Sequence, residues 1–353
     1  MRILIIGPVG PTIGGDTVSF RAIVNYVESH PSLDTHVLDT NRRTTVPATD
    51  VALGIKDFLF FCRLFYRYLK LIRKVDVIFL CANSRFILTA GLPLLGIAKI
   101  CNRKTFVKPF GGSLHLYRTQ NFSSKSRWSL FLRLTDVLLP QTEVLKNQLE
   151  RFIAARRFSP VVLKFPNFHT SRFQAEPSIS YRSRDLVYLG QMRPEKGVVE
   201  LCKFADQFGF SLDLAGPLVS GYEELVLDNI SKTRNARYCG IVDPEDVVEF
   251  ISQRKIFVFA SRWYGEGMPG VLLRALAAGC PIISFSFDSI DELIVDGSNG
   301  FIVNNFDEMK IATQKLLDDE SLWRSISKNN LWLSQRYFVD DICSKVFCSC
   351  GLL

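Results

Sequence analysis

The sequence predicts an α/β protein of two Rossmann-like domains, each built on a parallel sheet, and three observations lead there. Short apolar runs of strand length alternate with longer segments of helical period along most of the chain, the signature of repeated βαβ units. The 353 residues, 47% of them hydrophobic, suffice for two separate cores. Charge divides between the halves: residues 1–170 carry 24 Lys and Arg against 10 Asp and Glu, whereas residues 171–353 carry 19 against 25.

In order along the chain, Arg2 to Ile6 reads as a buried strand, followed by the Gly- and Pro-rich loop GPVGPTIGG and a helix capped by Asp16. Thr35 to Leu38 is the next strand. Phe58 to Lys74 has helical spacing, with Phe61, Leu64, Phe65, Tyr68, Leu69 and Ile72 apolar and Arg63, Arg67, Lys70, Arg73 and Lys74 basic. Strands at Val75 to Cys81 and Lys104 to Pro109 flank an apolar helix; the loop Phe110-Gly111-Gly112-Ser113, a basic helix ending near Leu134 and a strand at Asp136 to Leu139 follow. Thr170 to Arg184 is polar and reads as the linker. A second alternation takes a strand at Asp185 to Leu189, a helix at Val198 to Phe208, a strand at Ser211 to Ala215, a helix opened by Asp243-Pro244 and a strand at Ile256 to Ala260. The segment from Glu308 onward reads mostly as helix.

Composition narrows the function classes. Nine scattered cysteines without a CxxC pair or a Cys/His cluster favour reduced thiols over a disulfide framework or a zinc site. Met1 to Val9 lacks the pattern of a signal peptide, and the longest apolar run, Phe86 to Ala98, falls short of the ~20 residues that span a bilayer. Cys350-Gly351-Leu352-Leu353 resembles a prenylation signal only superficially, because Gly351 is not aliphatic. A basic N-terminal half suits an anionic partner such as a membrane surface or a diphosphate-linked substrate. Nucleic acid would use the same charges, but no binding motif accompanies them. The expected location is the cytoplasm, peripheral on the inner face of the cytoplasmic membrane.

The most informative stretch is Ser261 to Gly300, SRWYGEGMPGVLLRALAAGCPIISFSFDSIDELIVDGSNG. Glu266 sits in a Gly-flanked loop, Pro269 offers the fixed φ favoured at the first position of a helix, and Gly279 suits its left-handed end. A buried strand, Pro281 to Phe285, follows, so the helix N-terminus faces the open edge of a sheet, where such folds bind phosphates. This stretch resembles the group 1 glycosyltransferases (family 4), whose pattern EGxPxxxxEAxAxGxPII is matched by Glu266, Gly267, Pro269, Ala275, Ala277, Gly279, Pro281, Ile282 and Ile283. The family's second Glu, which holds the nucleotide ribose, is replaced by Arg274.

The resemblance implies a GT-B fold, two Rossmann-like domains whose parallel sheets face across a cleft. It sets an acceptor-binding domain at 1–170, a nucleotide-sugar-binding domain at 171–335 and a tail at 336–353 returning to the first. It also assigns roles. Glu266 and His115 are the catalytic candidates, His115 as a contact to the donor sugar or a general base, with a purely structural histidine as the alternative. Arg193 and Lys196, in GQMRPEKG, would hold the donor diphosphate together with Gly267, Met268 and Pro269, where the residues alone also read as a charged solvent turn. Gly14 and Gly15 would form an acceptor or phosphate loop. Glu292 would brace the nucleotide pocket or start a helix. Arg274 has three readings: contact with a donor phosphate or carboxylate, pairing with an acidic neighbour, or a diminished enzyme.

The expected activity is transfer of a hexose from a nucleotide sugar, a UDP-hexose, to a saccharide acceptor, lipid-diphosphate-linked, in surface polysaccharide (O-antigen type) assembly. The family implies retention of configuration, with the leaving phosphate taking the acceptor proton, and neither metal nor cofactor. A non-catalytic sugar-nucleotide or saccharide binder of the same fold is the alternative. A dinucleotide enzyme is disfavoured because Gly7, Gly10, Gly14 and Gly15 do not fit GxGxxG.

Overall fold

The computed structural model describes residues 1–10, 14–41, 55–112, 122–156, 159–172, 176, 178–263 and 265–353. The chain forms two compact units. The first comprises Met1–Asn167, Gly265–Met268 and Val339–Leu353, and the second Phe168–Tyr264 and Pro269–Phe338.

In the first unit the chain runs β1 (Arg2–Gly7), α1 (Gly15–Glu28), β2 (Asp34–Asp39), α2 (Ile55–Leu71), β3 (Val77–Asn83), α3 (Ser84–Ile87), α4 (Gly91–Ile100), β4 (Lys104–Phe110), α5 (Phe122–Leu134), β5 (Val137–Leu138), α6 (Glu143–Arg156) and β6 (Val161–Val162). All strands are parallel, in the order β2-β1-β3-β4-β5-β6. Alternation along the strands sends Leu4, Ile6, Leu80 and Val107 to one face, where they pack with Leu64 and Tyr68 of α2, Leu95 of α4 and Trp128 of α5. The other face is aromatic: Phe79 stacks on Phe106 and on Phe347 of the last helix, at 6.1 and 5.4 Å between ring centroids.

The second unit runs β7 (Arg184–Leu189), α7 (Val198–Phe208), β8 (Leu212–Ala215), α8 (Glu223–Ser231), β9 (Ala236–Tyr238), α9 (Val247–Ser252), β10 (Arg254–Phe259), α10 (Gly270–Ala277), β11 (Ile282–Phe285), β12 (Gly300–Val303), α11 (Phe306–Asp318) and α12 (Glu320–Ser334). The final helix, α13 (Val339–Ser349), lies in the first unit. The second sheet is also parallel, in the order β12-β11-β10-β7-β8-β9, with Leu186 beside Ile256 and Leu212. Its core gathers Leu186, Tyr188, Leu214, Val258 and Ile283 against Leu201 and Phe204 of α7 and Trp323 of α12. Asp213, fully buried on β8, takes ion pairs from Arg184, Arg237 and Arg254 at 3.1, 2.9 and 2.9 Å. Burial alone would raise its pKa, but the arginine hydrogen bonds and charges prevail and hold it below the usual carboxylate value.

Several local expectations are corrected. α1 starts at Gly15 with Gly14 as its cap, so Asp16 lies within the first turn instead of capping it. α9 starts at Val247: Asp243 and Pro244 fall in a preceding turn, where the Asp243 carboxylate accepts from Glu245 N at 3.1 Å. Pro269 is the cap of α10, with ψ 117°, and Gly270 takes the first helical place. Trp128 of the basic helix α5 is buried in the core against Phe131 and Phe152.

Candidate functional site

In the second sheet, strand order reverses between β7 and β10, and the loops after these two strands meet at that point. Such switch points open a crevice at the strands' carboxyl ends, the usual place for ligands in open α/β sheets. Arg262 N donates to Glu195 O at 2.9 Å, joining the two loops. Gly197 makes the approach possible: its φ is +78°, and a Cβ there would lie 2.4 Å from the Ala260 carbonyl oxygen.

Arg193 is no solvated turn residue. Its side chain is 14% exposed and packs over the Trp263 and Tyr222 rings, 4.6 and 5.9 Å from their centroids. Glu195 takes its fork with two hydrogen bonds, Nε to Oε2 at 2.9 Å and Nη2 to Oε1 at 3.0 Å. That fork holds the Glu195 pKa down to about 2, so the pair stays ionised across the physiological range. Lys196 lies on the short 3-10 turn Pro194–Lys196 that follows.

α10 begins in the same unit with no side-chain cap, because Pro269 has none to offer. Arg274 folds back toward this N-terminus, its Nη1 donating to Gly270 O at 3.1 Å. A side chain at Gly270 would meet the guanidinium: an added Cβ would stand 3.1 Å from Nη1. Among the described residues Arg274 makes no ion pair, and burial alone lowers its pKa to about 10. The reading that paired it with an acidic neighbour is therefore corrected. A cation turned to the positive end of a helix and half-buried there is a poor arrangement unless an anion joins it. The Arg274 charge also reaches His169, which sequence reasoning had passed over. His169 is buried, Nε2 bonded to Ser334 O at 3.0 Å; desolvation foremost, with that charge, holds its pKa below the usual value despite the Ser334 bond.

In the first unit, strand order reverses between β1 and β3, and the loop after β1 carries Gly14 and Gly15 to the start of α1. Thr17 Oγ1 accepts from Gly14 N at 3.0 Å and donates to Gly14 O at 2.9 Å, fixing the turn. A Cβ on Gly15 would meet nothing within 4 Å among the described residues. Asp16 stands beside it. Its tip reaches solvent, yet the surrounding protein desolvates the carboxyl enough to raise its pKa to about 6, against the pull of the Lys108 ammonium. An acidic residue directly after a Gly-Gly loop is the sequence signal that would have flagged it.

The segment Gly265–Met268 also lies in the first unit, although β10 and α10 flank it in sequence. Gly112 N donates to Gly265 O at 3.0 Å, and a Cβ on Gly112 would lie 2.4 Å from Glu266 O, so only glycine fits there. Both polar backbone groups of buried Met268 are held by side-chain amides: its N–H donates to Gln141 Oε1 at 3.3 Å, and Asn167 Nδ2 donates to its carbonyl at 2.6 Å. Three elements at the carboxyl edge of one sheet thus hold the Glu266 loop, and neither amide announces this in the sequence. Gln141→Leu and Asn167→Leu should each cost about 1–3 kcal/mol, because each leaves a buried backbone group unpaired. The double variant should cost less than the sum if the two amides grip this one residue as a unit. Urea unfolding of the three variants checks this, and strict additivity would refute the clamp.

Glu292 lies in the 3-10 turn Ile290–Glu292, where its carbonyl accepts from Tyr337 OH at 3.3 Å. Downstream, Asn299 is buried and locks the turn, accepting from Val295 N at 2.7 Å and donating to Leu293 O at 2.8 Å. His115 lies outside the described residues.

Residues 171–331 match the family described as glycosyl transferases group 1. A capsular polysaccharide biosynthesis glycosyltransferase, CapM, from Staphylococcus aureus is 30% identical over 149 residues, 40% of this chain and 39% of that protein. The O-antigen chain mannosyltransferase B of Escherichia coli is 28% identical over 149 residues, 40% of this chain and 38% of its own length. The matched stretch thus spans about two fifths of these relatives. Among solved structures, sucrose-phosphate synthase from Thermosynechococcus elongatus superposes with a TM-score of 0.75 at 15% identity, covering 99% of this chain and 98% of that one. Anabaena HepE in complex with UDP and glucose superposes at 0.74 and 14% identity, covering 100% of both chains. At these identities the likeness shows the fold alone: two parallel six-stranded sheets with flanking helices, as in GT-B structures.

Proposed function

We propose, from the premise that residues 171–331 form a group 1 glycosyltransferase domain, that this chain transfers a hexose from a nucleotide sugar to a saccharide acceptor. The observation that supports this most is the positive charge gathered on the second unit's site elements: Arg193 packed over two aromatic rings, and Arg274 turned to the uncapped N-terminus of α10 with no carboxylate partner among the described residues. Charge building on a departing diphosphate needs such preorganised donors. In this reading Arg193, Lys196 and the start of α10 receive the diphosphate, and Arg274 adds a contact to an anionic part of the donor. Glu266, with Gly267 and Met268, orients the sugar, and Glu292 braces the nucleotide pocket.

UDP is the proposed nucleotide, a complex with it being known for the superposable HepE. A lipid-diphosphate-linked saccharide is the proposed acceptor, taken by the basic first unit through the Gly14-Gly15 loop, as in surface polysaccharide assembly at the inner membrane face. Retention of configuration and independence from metals belong to the same proposal.

Screening nucleotides and nucleotide sugars by thermal shift tests it. A UDP-hexose at a hundred times its Kd should stabilise the chain by about 2.7 kcal/mol, free hexose should not, and EDTA should change neither binding nor transfer. No shift with any nucleotide sugar would sink the reading. Arg274 favours one competitor, a non-catalytic binder of the same fold. Under the enzyme reading Arg274→Glu weakens donor binding; under the competitor it creates turnover where the natural chain has none.

A further inference from the structure

The outward face of α2 is apolar and cationic at once, and among the described residues nothing covers it. Leu64, Tyr68 and Ile72 turn inward to the core, with Phe61 and Phe65 partly packed against it. Leu59, Tyr66 and Leu69 point outward, 49, 60 and 50% exposed, and with exposed Cys62 they follow the spacing i, i+3, i+7, i+10 of one helical stripe. Monomeric proteins seldom present such a stripe without a partner. Alongside it, Arg63, Arg67 and Lys70 form a second exposed row, continued by Arg73 and Lys74 where the helix ends. Between Leu59 and Val75 the sequence holds no acidic residue.

The two rows fit together. The Lys70 ammonium lies 4.3 Å from the Tyr66 ring centroid, so its stem runs along the apolar stripe while its charge stays at the edge. No helix among the described residues is long and apolar enough to cross a membrane, so burial of this stripe in lipid would be at the interface.

We propose that the outward face of α2 docks the first unit on an anionic bilayer surface, with Leu59, Tyr66 and Leu69 entering the headgroup boundary and Arg63, Arg67 and Lys70 holding the lipid phosphates. The commitment to anionic lipid rests on charge: basic side chains near such a surface each add about fivefold to binding, and an apolar stripe alone would not discriminate. This deepens the reading of a lipid-linked acceptor, on which it rests for its biological purpose, but it is tested without catalysis.

The probe is flotation of the intact chain with vesicles of phosphatidylcholine alone or with phosphatidylglycerol at one part in three, at low and high salt. Binding should appear with phosphatidylglycerol and fall as salt rises. Arg63→Gln with Arg67→Gln should weaken it roughly thirtyfold. Leu59→Ser, Tyr66→Ser and Leu69→Ser together should abolish it, with circular dichroism and melting temperature confirming the fold. Equal binding to both vesicle types, or unchanged binding by either variant, would overturn the proposal. Transfer to a soluble saccharide acceptor by these variants separates the two readings: docking can fail with transfer intact, and the reverse.

Discussion

Arg193→Ala is expected to lower the transfer rate by roughly 10²–10³-fold while leaving the fold intact, the loss typical of one preorganised donor removed from developing charge. The expectation depends on how the residue is held. The guanidinium packs over the Trp263 and Tyr222 rings, and Glu195 fixes its plane through two hydrogen bonds, so little reorganisation remains when negative charge appears. The same geometry predicts that Arg193→Lys rescues poorly, since an ammonium can neither stack as a plane nor take a carboxylate in a fork. Glu195→Gln should sit between, keeping one acceptor for Arg193 but loosening its orientation. Steady-state transfer from the nucleotide sugar selected by thermal shift, with kcat and KM separated, is the measurement. A rate within threefold of the natural chain for Arg193→Ala, or full activity with lysine, would remove Arg193 from the proposed donor site.

How far the sequence could foretell this arrangement differs from element to element. Strands such as Leu186 to Leu189 and Ile256 to Phe259 are apolar runs with clear limits, and both sheets were legible from them because local period and burial agree. β6, of only two residues, and β9, whose Arg237 pairs with Asp213, give no such signal; they pair because a neighbouring strand presents an edge. The start of α9 was misplaced because Asp-Pro is a turn as readily as a cap, and here Asp243 serves the turn. At the candidate site, Arg193, Arg274 and the start of α10 could be named from spacing. Their partners could not: Trp263 under Arg193 and the two amides on Met268 come from distant segments joined only by folding.

Lys108 supplies the second large effect, on stability. It is fully buried on β4, its Nζ donating to Phe165 O at 2.8 Å and lying 4.1 Å from the Phe165 ring centroid. Burial lowers its pKa from 10.5 to about 8, with Cys81, Cys343 and Asp16 pulling weakly the other way. The sign follows from proton counting. Between pH 8 and 10.5 the unfolded chain keeps the proton that the folded chain has released, so stability rises with pH across that window. Below pH 8 both forms are protonated and the folded state bears the full penalty; above 10.5 neither is, and the penalty is gone. A shift of this size corresponds to about 3 kcal/mol. Lys108→Met removes the titration and leaves the Phe165 carbonyl without its donor, a loss of about 1–3 kcal/mol that does not vary with pH. The stability of the methionine variant relative to the natural chain should therefore fall by about 3 kcal/mol between pH 8 and 10.5, whatever its starting sign. Urea unfolding of both proteins at pH 7.5, 9 and 10.5 reads this difference directly, cancelling the tyrosines and most of the cysteines that titrate in both. A difference that stays constant with pH would mean that Lys108 keeps its proton in the folded chain as readily as in water.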